Sequence, residues 1–180
     1  MERELIVTGI GGQGIQLLAK TLALAATREG RYAMLSADYG GEMRGGPSKA
    51  SVVIGDAPLK ALPVLASAGS AILAHHRFSE PVLPRLRPGA LVLANEKLVD
   101  VAALRSDLVV HTVDAAAIAK QAIGFVLLGA YNALTGLVTI DSLVAAMEEL
   151  LPPYRKQFAP ANAVAIRAGA ESLMATKVAA

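Results

Sequence analysis

The stretch Leu5-Ile6-Val7-Thr8-Gly9-Ile10-Gly11-Gly12-Gln13-Gly14-Ile15-Gln16-Leu17-Leu18-Ala19 decides the fold. Its first half is short, apolar and rich in β-branched residues, which suits a buried strand. Its second half opens a run from Ile15 to Arg28 that is rich in Leu and Ala, apolar nearly all round, and ends before Gly30. That is a helix closed by a C-terminal glycine. A strand that passes through a glycine-dense turn into a helix is the first unit of an α/β domain.

Working outward, the same alternation continues. Strands are expected at Tyr32 to Ala37, Lys49 to Ile54, Ser70 to Ala74, Ala90 to Ala94 and Leu108 to Val113. Pro81 and Pro84 leave room only for a short helix between 78 and 86, and Pro88-Gly89 reads as the turn into the fifth strand. The last third reads as helices over Ala115 to Leu134, Ser142 to Leu151 and Ala161 to Met174. Asp141 is the expected N-cap of the second, Pro160 opens the third, and Pro152-Pro153 separates them. The expected fold is therefore a Rossmann-like three-layer α/β sandwich. Its sheet is mostly parallel with helices on both faces, its C-terminal third is helical, and residues 1–180 form one domain.

Composition narrows the function. The chain of 180 residues is 54% hydrophobic and 18% charged, against about 25% charged in an average soluble domain. So apolar a surface suits a subunit covered by partners, since obligate interfaces resemble a core cut in half. There is no cysteine, which excludes disulfides, thiolate zinc and an iron–sulfur cluster held by this chain. A net charge of +2, no Trp and three Phe argue against nucleic acid. No export signal precedes Leu5, and the uncharged stretch 121–140 is interrupted by Gly124, Gly129, Asn132, Thr135 and Gly136, so a buried helix is expected there rather than a membrane span. A cytoplasmic protein is expected.

Two features carry chemistry. The first is Gly9, Gly11, Gly12, Gln13 and Gly14 at the strand-to-helix turn, where free N–H groups can meet an anion, or where glycines only allow tight packing. The second is Tyr39-Gly40-Gly41-Glu42-Met43-Arg44-Gly45-Gly46-Pro47, whose Arg can hold a carboxylate or phosphate through two hydrogen bonds. A plain solvated hairpin is the alternative. A nicotinamide-dependent enzyme would want an acid at the end of the second strand, where Asp38 stands. His75 and His76 are expected on opposite faces of a strand and His111 within another; none of them makes a catalytic or metal centre.

Together, Gly-Ile-Gly-Gly-Gln-Gly-Ile at 9–15 and Tyr-Gly-Gly-Glu-Met-Arg-Gly-Gly at 39–46 resemble the gamma subunit of 2-oxoacid:ferredoxin oxidoreductases. The resemblance continues through Ser51 to Ile54, Pro88 to Val92, Leu128-Gly129-Ala130 and Asn162, with Gly124 standing where the family commonly has Asn. It implies a chain without catalytic residues that works beside alpha and beta subunits binding thiamine diphosphate and Mg. A ferredoxin-like delta subunit or domain would carry iron–sulfur clusters, and ferredoxin would be the acceptor. Coenzyme A would be co-substrate and 2-oxoglutarate the favoured type of 2-oxoacid. Gly9, Gly11, Gly12, Gln13, Gly14, Tyr39, Glu42, Arg44, Gly45 and Gly46 would contact coenzyme A or the partners. The other class left open is a free-standing NAD(P)-binding oxidoreductase.

Overall fold

The computed structural model describes residues 1–39, 45–60 and 63–178, apart from the side chains of Asp38, Tyr39 and residues 174–178. Six strands form one sheet in the order β2-β3-β1-β4-β5-β6. They are β1 Arg3–Ile10, β2 Tyr32–Tyr39, β3 Pro47–Gly55, β4 Ala68–Leu73, β5 Leu86–Asn95 and β6 Val109–Val113. Pairs β1–β4, β4–β5 and β5–β6 are parallel, whereas β3 runs antiparallel to both β1 and β2. A hairpin thus inserts β3 between the first two strands. In a nicotinamide domain the second strand lies beside the first. Here Asp38 is carried two strand spacings, about 10 Å, from β1.

Period-two alternation sorts each strand between two cores. Leu5, Val7, Val52, Ile54, Ile72 and Leu93 face one side, where they meet the α-helices. Ile6, Val53, Ala71, Leu73, Val92 and Ala94 face the other. All five α-helices pack on the first side: α1 Ile15–Arg28, α2 Ala115–Ala119, α3 Ile123–Thr135, α4 Ile140–Leu150 and α5 Ala159–Val178. The second side is closed by a thinner layer that includes the 3-10 turns Leu83–Arg85 and Val101–Ala103.

Helix α1 has the expected bounds because glycines end it on both sides. Gly14 at φ +78° precedes it, and Gly30 at φ +77° lets the Arg31 N–H reach back to the Ala26 carbonyl at 3.0 Å. Its far side is only half covered, with Lys20 exposed. Three local expectations are corrected. Pro88-Gly89 does not precede β5 but lies inside it, at an irregularity where Ala68 pairs with Leu86 and Ser70 with Leu91. The N-cap of α4 is Thr139, whose hydroxyl accepts from Ser142 N; Asp141 sits in the first turn and pairs with Arg167 at 2.7 Å. The helix expected over 115–134 is broken at Lys120-Gln121-Ala122 into α2 and α3.

That break aims α3 at the glycine turn. Helix α3 then crosses α5 at two glycines: a Cβ on Gly129 would stand 1.8 Å from the Ile166 carbonyl oxygen, and one on Gly169 2.1 Å from that of Val126. Side chains cannot occupy those points, so the two backbones touch. Tyr131, on the same helix, is buried against β4, where its hydroxyl meets Ser70 Oγ at 2.8 Å. Among the described residues, no helix is long and apolar enough to cross a membrane.

Candidate functional site

The glycine turn is held shut by one side chain. Gln13 Oε1 accepts the Ile10 N–H at 3.0 Å, and Gln13 Nε2 donates to the Ala74 carbonyl at 3.3 Å, so the turn is tied to the end of β4. The Asn95 amide donates to that same carbonyl from β5, also at 3.3 Å. Gly9 leaves room for that amide, since a Cβ there would lie 2.6 Å from Gln13 Oε1 and would force the Gln13 side chain to shift. Gly12, at φ +102°, is needed for backbone freedom.

The two sequence motifs meet. The Gly11 N–H donates to the Gly46 carbonyl at 2.9 Å, and a Cβ on Gly11 would touch Gly45 N at 3.6 Å. Gly11, Gly12, Gln13, Gly14, Gly45 and Gly46 therefore form one surface at the ends of β1 and the β2–β3 hairpin, whereas Gly9 is buried in β1. The Tyr39 backbone pairs with Ser48 at the hairpin's end. Glu42 and Arg44 lie outside the described residues.

On its helical side the turn forms the floor of a cleft of about 360 Å³. Gly12, Gln13 and Gly14 line it together with Lys120, Gly124, Arg155 and Asn162. Helices α1 and α3 both start there, on Gly14 and Ala122, and neither has a side-chain cap. By contrast, Asp114 caps α2 and Thr139 caps α4. Gly124 makes the close approach possible, since a Cβ would lie 2.6 Å from the Gln13 carbonyl oxygen and 3.3 Å from that of Gly14. An Asn at this position, as the resembled family has, would require α3 to sit further out.

Lys120, Arg155 and the cleft itself were missed from the sequence. Neither Lys120 nor Arg155 stands in a motif of the sequence. Their shared location depends on the break before α3 and on the 3-10 helix Pro153–Phe158, and neither was foreseen in detail.

Two of the three histidines lie elsewhere than expected. His75 and His76 do not sit on a strand: His75 is the N-cap of the 3-10 turn His76–Phe78, and its Nδ1 accepts from Arg77 N at 3.3 Å. The two rings stack with centroids 4.4 Å apart. Burial, together with the charges of His76 and Arg77, holds His75 below the usual histidine range, which favours a neutral ring. His111 lies in β6, half-buried. Among the described residues, no group of three or more His, Cys, Asp or Glu could hold a metal.

Fold and site define an α/β domain in which the glycine turn after β1 meets the end of the β2–β3 hairpin. The chain belongs to the pyruvate ferredoxin/flavodoxin oxidoreductase family, whose model matches residues 4–172. It is 32% identical to the pyruvate synthase subunit PorC of Methanothermobacter thermautotrophicus over 168 residues, covering 80% of this chain and 82% of that one. It is 27% identical to the 2-oxoglutarate synthase subunit KorC of the same organism over 186 residues, covering 97% and 96%. Its fold matches the gamma subunit of the keto/oxoacid ferredoxin oxidoreductase of Geobacter sulfurreducens with a TM-score of 0.79 at 26% identity, over 97% and 98% of the two chains. It is thus a gamma-type subunit of an oxidoreductase acting on 2-oxoacids.

Proposed function

We propose that this chain serves a complex that oxidatively decarboxylates a 2-oxoacid with coenzyme A, giving acyl-CoA, carbon dioxide and reduced ferredoxin. The observation that carries the reading is the Gly11–Gly46 hydrogen bond, which joins two glycine-rich motifs, far apart in sequence, into one surface. Such a surface can press closely on a partner backbone or on a phosphate.

The chain's own residues do not fit the hard chemistry. With no cysteine it cannot ligate a cluster through thiolates, and it has no Gly-Asp-Gly run leading to an Asn-Asn pair for thiamine diphosphate and Mg. Alpha and beta subunits would hold the thiamine, whose role is to stabilise a carbanion, and a ferredoxin-like delta subunit or domain would pass electrons to ferredoxin. This chain then contributes assembly and coenzyme A contact. Gly11 to Gly14 are assigned to the anionic part of the coenzyme or to the partners, and Tyr39, Glu42 and Arg44 to the loop facing the catalytic subunits.

The 2-oxoglutarate type is the substrate we favour, on the wording of residues 39–44. Relatives of the pyruvate type match the chain as well, and an assay with both acids decides. The complex is assigned to the cytoplasm.

The test is to tag the chain in its native host, purify it anaerobically, and assay coenzyme A-dependent viologen reduction across a panel of 2-oxoacids. Co-purifying thiamine- and cluster-binding chains with activity are expected. A lone chain that binds NAD(P) overturns the reading. An Arg44→Ala complex with an unchanged KM for coenzyme A removes the ligand role of that loop.

A further inference from the structure

We infer that the second face of the sheet, away from the five α-helices, carries a binding site for a small monocarboxylic acid, held by Arg85, Ser51 and Ser36. Two adjoining cavities of about 220 Å³ each open there, and they share Lys49 and Arg85. One is lined also by Thr8 and Phe78, the other by the two serines, Pro63 and Val64. The alternation of β3 puts Lys49, Ser51 and Val53 on this face, and the register sets Ser36 of β2 directly beside Ser51.

The hydroxyl of Ser51 is the observation that calls for a ligand. Ser51 is only 5% exposed and lines the cavity, yet it has no hydrogen bond among the described residues. The other buried serines each have one. Ser48 accepts from Gln16, Ser70 donates to the Glu4 carbonyl, and Ser79 donates to that of His75. Thr8, at the far end of the groove, gives its hydroxyl to the Phe78 carbonyl at 2.9 Å. Half-buried Ser36 is without a hydrogen bond too, again among the described residues. Buried hydroxyls are rarely left over, and a pair of them facing a cavity is satisfied by what the cavity holds.

Arg85 sets the sign of that molecule. It is half-buried, donates to the Leu65 carbonyl through Nη2, and has no carboxylate partner among the described residues. Its Nε and Nη1 donors are left for a ligand. None of the described residues lining the groove is acidic. Lys49 stands opposite Asp38 in the β2–β3 register, so the charge count rests on Arg85 alone. One positive charge beside two hydroxyls matches a carboxylate, with its single charge and two oxygens, better than a phosphate, which carries nearly two charges. Pro63 and Val64 supply an apolar wall for a short hydrocarbon body. No histidine lines either cavity among the described residues to act as base for a serine, so the site binds its ligand without transforming it. It shares no residue with the cleft on the helical side and does not rest on the proposed role of the complex.

The test is a titration of the isotope-labelled full chain with propionate, followed through its backbone amide resonances. Saturable shifts are expected at Ser36, Ser51, Leu65 and Arg85, and none with propionamide, which has nearly the same shape without the charge. Inorganic phosphate should bind at least tenfold more weakly. Arg85→Gln should weaken propionate about tenfold or more and Ser51→Ala about fivefold, while Lys20→Ala, exposed on the helical side, leaves it unchanged. Ser51→Ala keeps the Arg85–Leu65 tie, so it decides the matter should Arg85→Gln disturb the fold. Absent shifts, shifts centred on Gly12 to Gly14, phosphate binding as tight as propionate, or binding that survives Ser51→Ala overturns the inference. In the assembled complex, equilibrium dialysis should find one propionate per copy of this chain that Arg85→Gln removes. Its absence there would mean that a partner's side chain fills the groove, and would overturn the inference as well.

Discussion

At Gly124 the space for one carbon atom determines how close α3 comes to the glycine turn. The added Cβ of Gly124→Ala would sit 2.6 Å from the Gln13 carbonyl oxygen, which is backbone and cannot swing aside. Overpacking of this kind costs about 1–3 kcal/mol, so Tm should fall by roughly 3–10 °C in a chain of this size. Thermal unfolding checks it, and an unchanged Tm would mean that α3 moves freely. Tyr131 gives a second expectation at this scale. Burial pushes its hydroxyl up from 10.0 to about 12, partly offset by the Ser70 hydrogen bond. The folded state therefore holds the proton more tightly than the unfolded one, and the stability this gives is complete below pH 10 and lost as pH rises towards 12. Alkaline urea titrations should show Tyr131→Phe losing less stability across that window than the parent.

Among the elements, the crossing of α3 and α5 is the most demanding contact. Gly129→Ala and Gly169→Ala each place a carbon about 2 Å from a facing carbonyl, so each should cost roughly 3 kcal/mol or more. Because both report on one helix separation, the double variant should cost less than the sum. Denaturant midpoints for the four proteins test this, and strict additivity would show two independent contacts. The same elements show what could be read from the chain. The bounds of α1 were legible because Gly14 and Gly30 end it locally. The strands were legible as short apolar runs because both of their faces are buried. The break at Lys120-Gln121-Ala122 was not, since Lys, Gln and Ala are good helix formers and the break serves a tertiary contact with Gln13. Nor was the insertion of β3 between β1 and β2, because a strand's residues state its two faces but not its neighbours. At the site, Gly9 to Gly14 and Gly45-Gly46 announced themselves by composition. Lys120 and Arg155 are ordinary surface cations until the fold brings them together.

Among the described residues, most of the large exposed apolar side chains gather at two places, while Val109 stands apart on the opposite edge strand β6. Tyr32, Met34 and Val64 lie by the edge strand β2, and Tyr154, Phe158 and Val164 lie around the start of α5. In the assembled complex, backbone amides of β2 and of residues 153–164 should exchange with deuterium more slowly than in the isolated chain. Equal rates in both segments would move the partner surface elsewhere. The strand order bears on synthesis as well. The pairing of β2, β3, β1 and β4 is complete once residue 73 is made, and β5 and β6 then add outward one at a time. Two walls of the cleft, α3 and α5, come only after residue 122, with Asn162 near the end. A nascent chain on the ribosome can thus fold its sheet early yet present the cleft only when translation is nearly finished. A chain cut short before α5 lacks the wall that carries Asn162.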